Sequence, residues 1–115
     1  MSQLDDKARA KEVAETIYAQ LGGRGAAVMI GMHGLSCGTD DAGNHYLSFK
    51  FKAGRKANYC KITLTPADLY DMVVEKVSFG PARGLRRKVA AEHEGVFCDQ
   101  LGPLFEEATG LYLRF

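Results

Sequence analysis

The chain has no tryptophan, only three prolines and only three cysteines in 115 residues. Cys37, Cys60 and Cys98 are odd in number and far apart, which excludes a framework pairing every thiol and fits reduced cysteines. Long hydrophobic runs are missing too. The longest, residues 26–30, is far shorter than the roughly 20 residues a membrane-spanning helix needs, so no membrane partner is expected. Residues 1–11 mix acidic and basic side chains and lack the apolar centre of a secretory signal, so the expected location is the cytoplasm. Nor is there an excess of charge of one sign: 15 Lys and Arg against 14 Asp and Glu leave +1. That balance excludes a global pull toward nucleic acid and places any electrostatic function in local clusters.

What is present describes one folded domain over residues 1–115, with residues 1–5 as a flexible lead. Hydrophobic residues at 46% and charged residues at 25% are near the globular average. Val13, Ile17 and Leu21, flanked by Ala10 and Ala14, predict an amphipathic helix over residues 6–21, closed by Gly22 and Gly23. Residues 25–33 read as a short buried strand and residues 34–44, rich in glycine and aspartate, as a loop. Leu47, Phe49 and Phe51 alternate with Tyr46, Ser48, Lys50 and Lys52. Cys60, Ile62 and Leu64 alternate likewise with Tyr59, Lys61 and Thr63, so the two runs predict a hairpin turning at residues 53–56. Thr65, Pro66 and Asp68 suggest one helical turn, residues 73–79 a strand, and residues 85–94 a short strand. Leu101, Leu104, Phe105 and Ala108 define a helical face extending back to Val96 and Phe97 and ending at Gly110. Residues 111–115 alternate as a final strand or a partner-binding edge. The expected fold class is α+β: an antiparallel sheet of four or five strands with an N-terminal and a C-terminal helix on one face.

Four constellations carry candidate chemistry. The first is basic and aromatic. Tyr46, Lys50 and Lys52 share one face of the first hairpin strand, Tyr59 and Lys61 one face of the second, with Arg55 and Lys56 at the turn. Aligned by register, they make a platform able to stack bases and neutralise phosphates, which Arg83, Arg86, Arg87 and Lys88 extend. The plainer reading is a solvated sheet face, where lysine is common. The second is His33, Cys37, His45, Cys60, His93 and Cys98, whose spacing matches no zinc pattern; no metal or cofactor is expected. The third is a nucleophile, Cys37 or Ser36, near His33 and Asp40 in a glycine-rich stretch without a recognised signature, the basis for a small cysteine-dependent enzyme as a minor alternative. The fourth is a protein-binding surface of aromatic residues Tyr70, Phe79, Tyr112 and Phe115, with Arg114 on the terminal edge and Asp40 and Asp41 on an acidic loop, open also to homodimerisation.

Leu21-Gly22-Gly23, Leu47-Ser48-Phe49-Lys50-Phe51, Lys56-Ala57-Asn58-Tyr59, Ile62-Thr63-Leu64, Asp68-Leu69-Tyr70-Asp71, Gly95-Val96-Phe97 and Thr109-Gly110-Leu111 occur in this order. In that order the chain resembles a family of short phage, prophage and mobile-element proteins, departing from its pattern where Met32-His33-Gly34 replaces a threonine-glycine-alanine turn. The resemblance implies a phage-borne accessory protein in the host cytoplasm, of a class rich in inhibitors of host defence such as anti-CRISPR proteins. The leading expectation is therefore a non-enzymatic binding protein directed at a host defence complex. The runner-up is a nucleic-acid-binding accessory protein using the basic and aromatic sheet face.

Overall fold

Strict alternation of apolar and polar residues needs a sheet with one covered face, and the computed structural model has that arrangement. It describes residues 3–52, 57–80 and 84–111, without the side chains of residues 3–6, 79 and 80. The chain runs α1 (Gln3–Gln20), α2 (Gly23–Ile30), β1 (His33–Thr39), β2 (His45–Lys50), β3 (Tyr59–Leu64), β4 (Tyr70–Gly80) and β5 (Gly84–Val96). A single 3-10 turn, Cys98–Gln100, then leads into α3 (Leu101–Thr109). The five strands form one antiparallel meander in the order β1-β2-β3-β4-β5, and the fold is α+β.

Register sorts the side chains into two faces. Leu47 opposes Ile62, Phe49 opposes Cys60, Ile62 opposes Met72 and Cys60 opposes Val74, so these residues point to one side. Ala14 and Ile17 of α1, Leu21 just after it, Ala26 and Ile30 of α2, and Leu101 and Phe105 of α3 close over that side in one core. Phe49, Phe51 and Phe105 are fully buried and pack ring to ring, with Phe105 5.2 Å from Phe51 and 6.0 Å from Phe49. Tyr70, Val96 and Ala57 also belong to this core, so Tyr70 is a packing residue rather than a surface aromatic.

Four local expectations change. Residues 23–30 form helix α2, not a strand: glycines in the left-handed region at Gly22 and Gly31 bracket it, and Ala26 and Ile30, four apart, bury on one side. The expected loop at residues 34–44 is mostly edge strand β1, paired with β2 from Thr39↔His45 to Ser36↔Ser48, then displaced by a bulge before His33↔Lys50. Thr65 starts a tight turn instead of a helical turn: its N–H and hydroxyl both donate to the Leu69 carbonyl, and Asp68 lies at φ 61°. The short strand expected at residues 85–94 is 13 residues long and takes in Val96, which had been assigned to the last helix. The expected turn at residues 53–56 lies outside the described residues, as does the final strand expected over residues 111–115 except for Leu111, which is not in a strand. No helix among the described residues is long and apolar enough to cross a membrane.

Candidate functional site

The sheet face opposite the helices gathers the first constellation. Lys50 opposes Tyr59, Ser48 opposes Lys61, and Tyr46 opposes Thr63, so Tyr46, Lys50, Tyr59 and Lys61 share this outer face. Arg87 joins them from β5, because Val77 opposes Arg87 while Glu75 opposes Val89. The two tyrosine rings are already engaged. Lys61 Nζ sits 4.4 Å from the centre of the Tyr46 ring, and the Arg87 guanidinium sits 5.0 Å from that of Tyr59. Tyr46 also lies across Gly38 of β1: a Cβ at that glycine would stand 2.9 Å from the tyrosine hydroxyl. These rings serve as supports for cations, and the cations are what the face offers outward.

Arg86, Arg87 and Lys88 do not form one patch. Arg86 opposes Ser78 and Lys88 opposes Lys76, on the face opposite Arg87, and all three are exposed. Lys52, exposed just past β2, donates its N–H to the Ile30 carbonyl and closes against Gly31, at the same end of the sheet. Lys76 is a member that periodicity left hidden, since residues 69–79 fit both helical and strand spacing. Arg55, Lys56, Arg83, Tyr112, Arg114 and Phe115 lie outside the described residues, as does the side chain of Phe79.

Asn58 anchors this end. It precedes β3, its N–H donates to the Glu75 carbonyl, and its side chain continues the ladder: Nδ2 donates to the Val77 carbonyl and Oδ1 accepts the Val77 N–H, each at 2.7 Å. A side-chain amide thus supplies the donor and acceptor that a further residue of β3 would supply. The Glu75 carboxylate stands 3.9 Å from Arg87 Nε, a partly exposed pair that leaves Arg87 largely available.

Because strands are antiparallel, charge along the sheet separates by end. Lys50, Lys52, Lys76, Arg86, Arg87 and Lys88 cluster where β2 ends and β5 begins, with Glu75 among them. Asp40, Asp41, Asp68, Asp71 and Glu94 sit at the other end, around the β1–β2 and β3–β4 turns and the close of β5. Asp40 has a structural task there: its Oδ1 accepts the N–H groups of Ala42 and Asn44, at 3.0 and 2.9 Å. Asp41 is exposed.

Comparison with known proteins finds no matching family model, no similar curated protein and no similar solved structure. The remaining candidate chemistry therefore rests on geometry. Among the described residues no three His, Cys, Asp or Glu side chains come together as a metal would require. Cys37 opposes the inward-facing Leu47, whereas Ser36 opposes Ser48 on the other face. His33 and Asp40 flank β1 at opposite ends, roughly 20 Å apart at strand rise. His33 Nδ1 donates to the Gly31 carbonyl at 2.9 Å, and Asp40 is held in its turn, so the expected nucleophile group is dispersed. Burial pushes the Cys60 thiol well above its ordinary pKa of 9.0, which makes it a packing residue. An open groove between α1 and the two acidic-end turns contains Arg9, Glu12, Thr16, His45 and Thr65. Its threonine hydroxyls are spent on the backbone: Thr16 donates to the Glu12 carbonyl and Thr65 to the Leu69 carbonyl.

Proposed function

We propose that this chain is a non-enzymatic binding protein whose basic sheet end holds the phosphate backbone of a nucleic acid. The observation that carries the reading is the convergence of Lys50, Lys76, Arg86, Arg87 and Lys88, by register, and of Lys52, through its backbone bond to Ile30, on one end of the sheet, with Glu75 an acid among them. A fold needs no such grouping for stability, since like charges gathered at one end repel one another. A phosphate chain benefits from it: each neutralised phosphate releases counterions, and binding weakens steeply as salt rises. The engaged tyrosines favour backbone contact over base stacking, so sequence preference is expected to be weak.

Fluorescence anisotropy with labelled DNA and RNA at two salt concentrations tests this. Micromolar or tighter binding is expected, falling with salt and lost when Lys50→Gln, Lys52→Gln and Arg87→Gln are combined. Absence of binding at low salt would overturn it.

A second reading keeps the same surface and changes the partner. Leu85 and Val89 are 60% and 53% exposed beside Arg87, and exposed apolar residues next to arginine suit a protein interface. On that reading the chain is a phage or mobile-element inhibitor of a host defence complex, and its binding is largely insensitive to salt.

A further inference from the structure

Five residue pairs, Lys76↔Lys88, Val77↔Arg87, Ser78↔Arg86, Phe79↔Leu85 and Gly80↔Gly84, continue the β4–β5 hairpin past the last pairing of β3 with β4, Tyr59↔Glu75. At strand rise they span about 17 Å. Asn58 clamps the root of this hairpin at Val77, beyond which it is a two-stranded ribbon, and Leu85, Arg86, Arg87 and Lys88 are all exposed although they alternate between its faces. An isolated two-stranded ribbon is marginal by itself, and none of Leu85, Arg86, Arg87 and Lys88 enters the core, so core formation does not account for the length of this strand.

We infer that this ribbon is an arm that enters the major groove of duplex DNA. The inference rests on the nucleic-acid reading above and adds which form of nucleic acid is bound and how. Its basis is that the cations lie on both faces: Lys76, Arg86 and Lys88 on the helix side and Arg87 on the outer side. A flat platform for a single strand needs cations on one face. A ribbon inside a groove has a phosphate strand along each wall, and cations reaching out from both faces can meet both. The major groove of B-form DNA, about 12 Å wide, admits a two-stranded ribbon, whereas the major groove of duplex RNA is too deep and narrow for side chains to read. Leu85, exposed on the arm, and Val89 at its root supply apolar surface of the kind that meets thymine methyl groups.

The experiment measures affinity of the full chain for a duplex DNA of about 20 base pairs, the matching single strand and the matching duplex RNA, across a salt series. Two variants are compared with the parent, Lys76→Gln/Arg86→Gln/Lys88→Gln and Lys50→Gln/Lys61→Gln, each checked for an unchanged melting temperature. The arm predicts that duplex DNA binds at least about tenfold tighter than the other two probes. The triple variant then weakens duplex binding at least about tenfold and flattens the salt dependence by about three counterions. If the triple variant binds duplex DNA like the parent while the sheet-face variant does not, the arm is wrong and the nucleic-acid reading stands. Equal or tighter binding of the single strand overturns the arm in the same way. If no probe binds at about 50 mM salt, both readings fall.

Discussion

At the scale of single residues, the side chain with the widest reach is Asn58. It joins β3 to the root of the ribbon through two short hydrogen bonds to Val77, so Asn58→Ala should cost about 2 kcal/mol at roughly 1 kcal/mol per bond. Amide exchange at Val77 should quicken by more than at Val74. Asn58→Asp should do no better than alanine, because a carboxylate facing the Val77 carbonyl cannot donate. None of this was legible in the sequence: which residue Asn58 meets depends on a strand pairing 19 positions away. Cys60 is the contrary case. Alternation with Ile62 and Leu64 placed it on the apolar face, and it is completely buried. A native thiol-reagent titration should therefore label Cys37 and Cys98, both exposed, and reach Cys60 only on unfolding.

Cys60 also shapes the response to pH. Burial raises its thiol, and burial, ahead of the contributions of Cys98 and Asp68 and against a hydrogen bond from Gln20, raises the Tyr70 hydroxyl. Both groups hold their protons more tightly folded than unfolded. The stability this represents is complete below their ordinary values, 9.0 and 10.0, and is lost progressively as pH rises from there through the raised values of the folded state. Denaturant midpoints should hold steady toward neutral pH and fall above about pH 9, at up to about 1.4 kcal/mol per pH unit for the thiol. A midpoint that rises there would contradict the burial of both groups.

Among the elements, the hairpin β2–β3 was readable because period-two alternation is a local property that burial of one face enforces. The flanking helices were readable for the same reason at a period of 3.6. The element misread most fully was α2, where eight residues, four of them glycine or alanine, carry too little periodicity to separate strand from helix. Its left-handed closure was hidden in a common glycine. Gly31 has φ +67°, and a Cβ there would come within 3.1 Å of Lys52 Cβ, so Gly31→Ala should destabilise by about 1–2 kcal/mol in a chemical melt. Gly25→Ala, in a helical position with open space around it, should be neutral or stabilising. Strands were expected at residues 73–79 and 85–94, but their pairing as a ribbon that outruns β3 was not legible, because register is set between strands and not along one of them. The ribbon's exposure predicts faster amide exchange at residues 76–80 and 84–88 than at residues 70–75, which pair on both sides.

For the whole molecule, a net charge of +1 conceals a polar arrangement. The basic run and the aromatic alternation were visible along the chain, and register brings Tyr46, Lys50, Tyr59 and Lys61 to one face. What required the fold was the splitting of residues 86–88 over two faces, the addition of Lys76, and the gathering of Asp40, Asp41, Asp68 and Asp71 at the far end, since antiparallel order alone decides which turns are neighbours. Such an arrangement would orient the molecule on approach, basic end first, toward a polyanion.

The most direct measurement is a titration of isotope-labelled protein with duplex DNA at low salt, followed by amide and side-chain chemical shifts. Binding through the basic end predicts shifts at Lys50, Lys52, Tyr59, Lys76 and residues 84–88, with Asp40, Asp41 and Asp68 unmoved and the shifts reversed by added salt. A spectrum without change, or one whose changes centre on the acidic turns, would contradict the account.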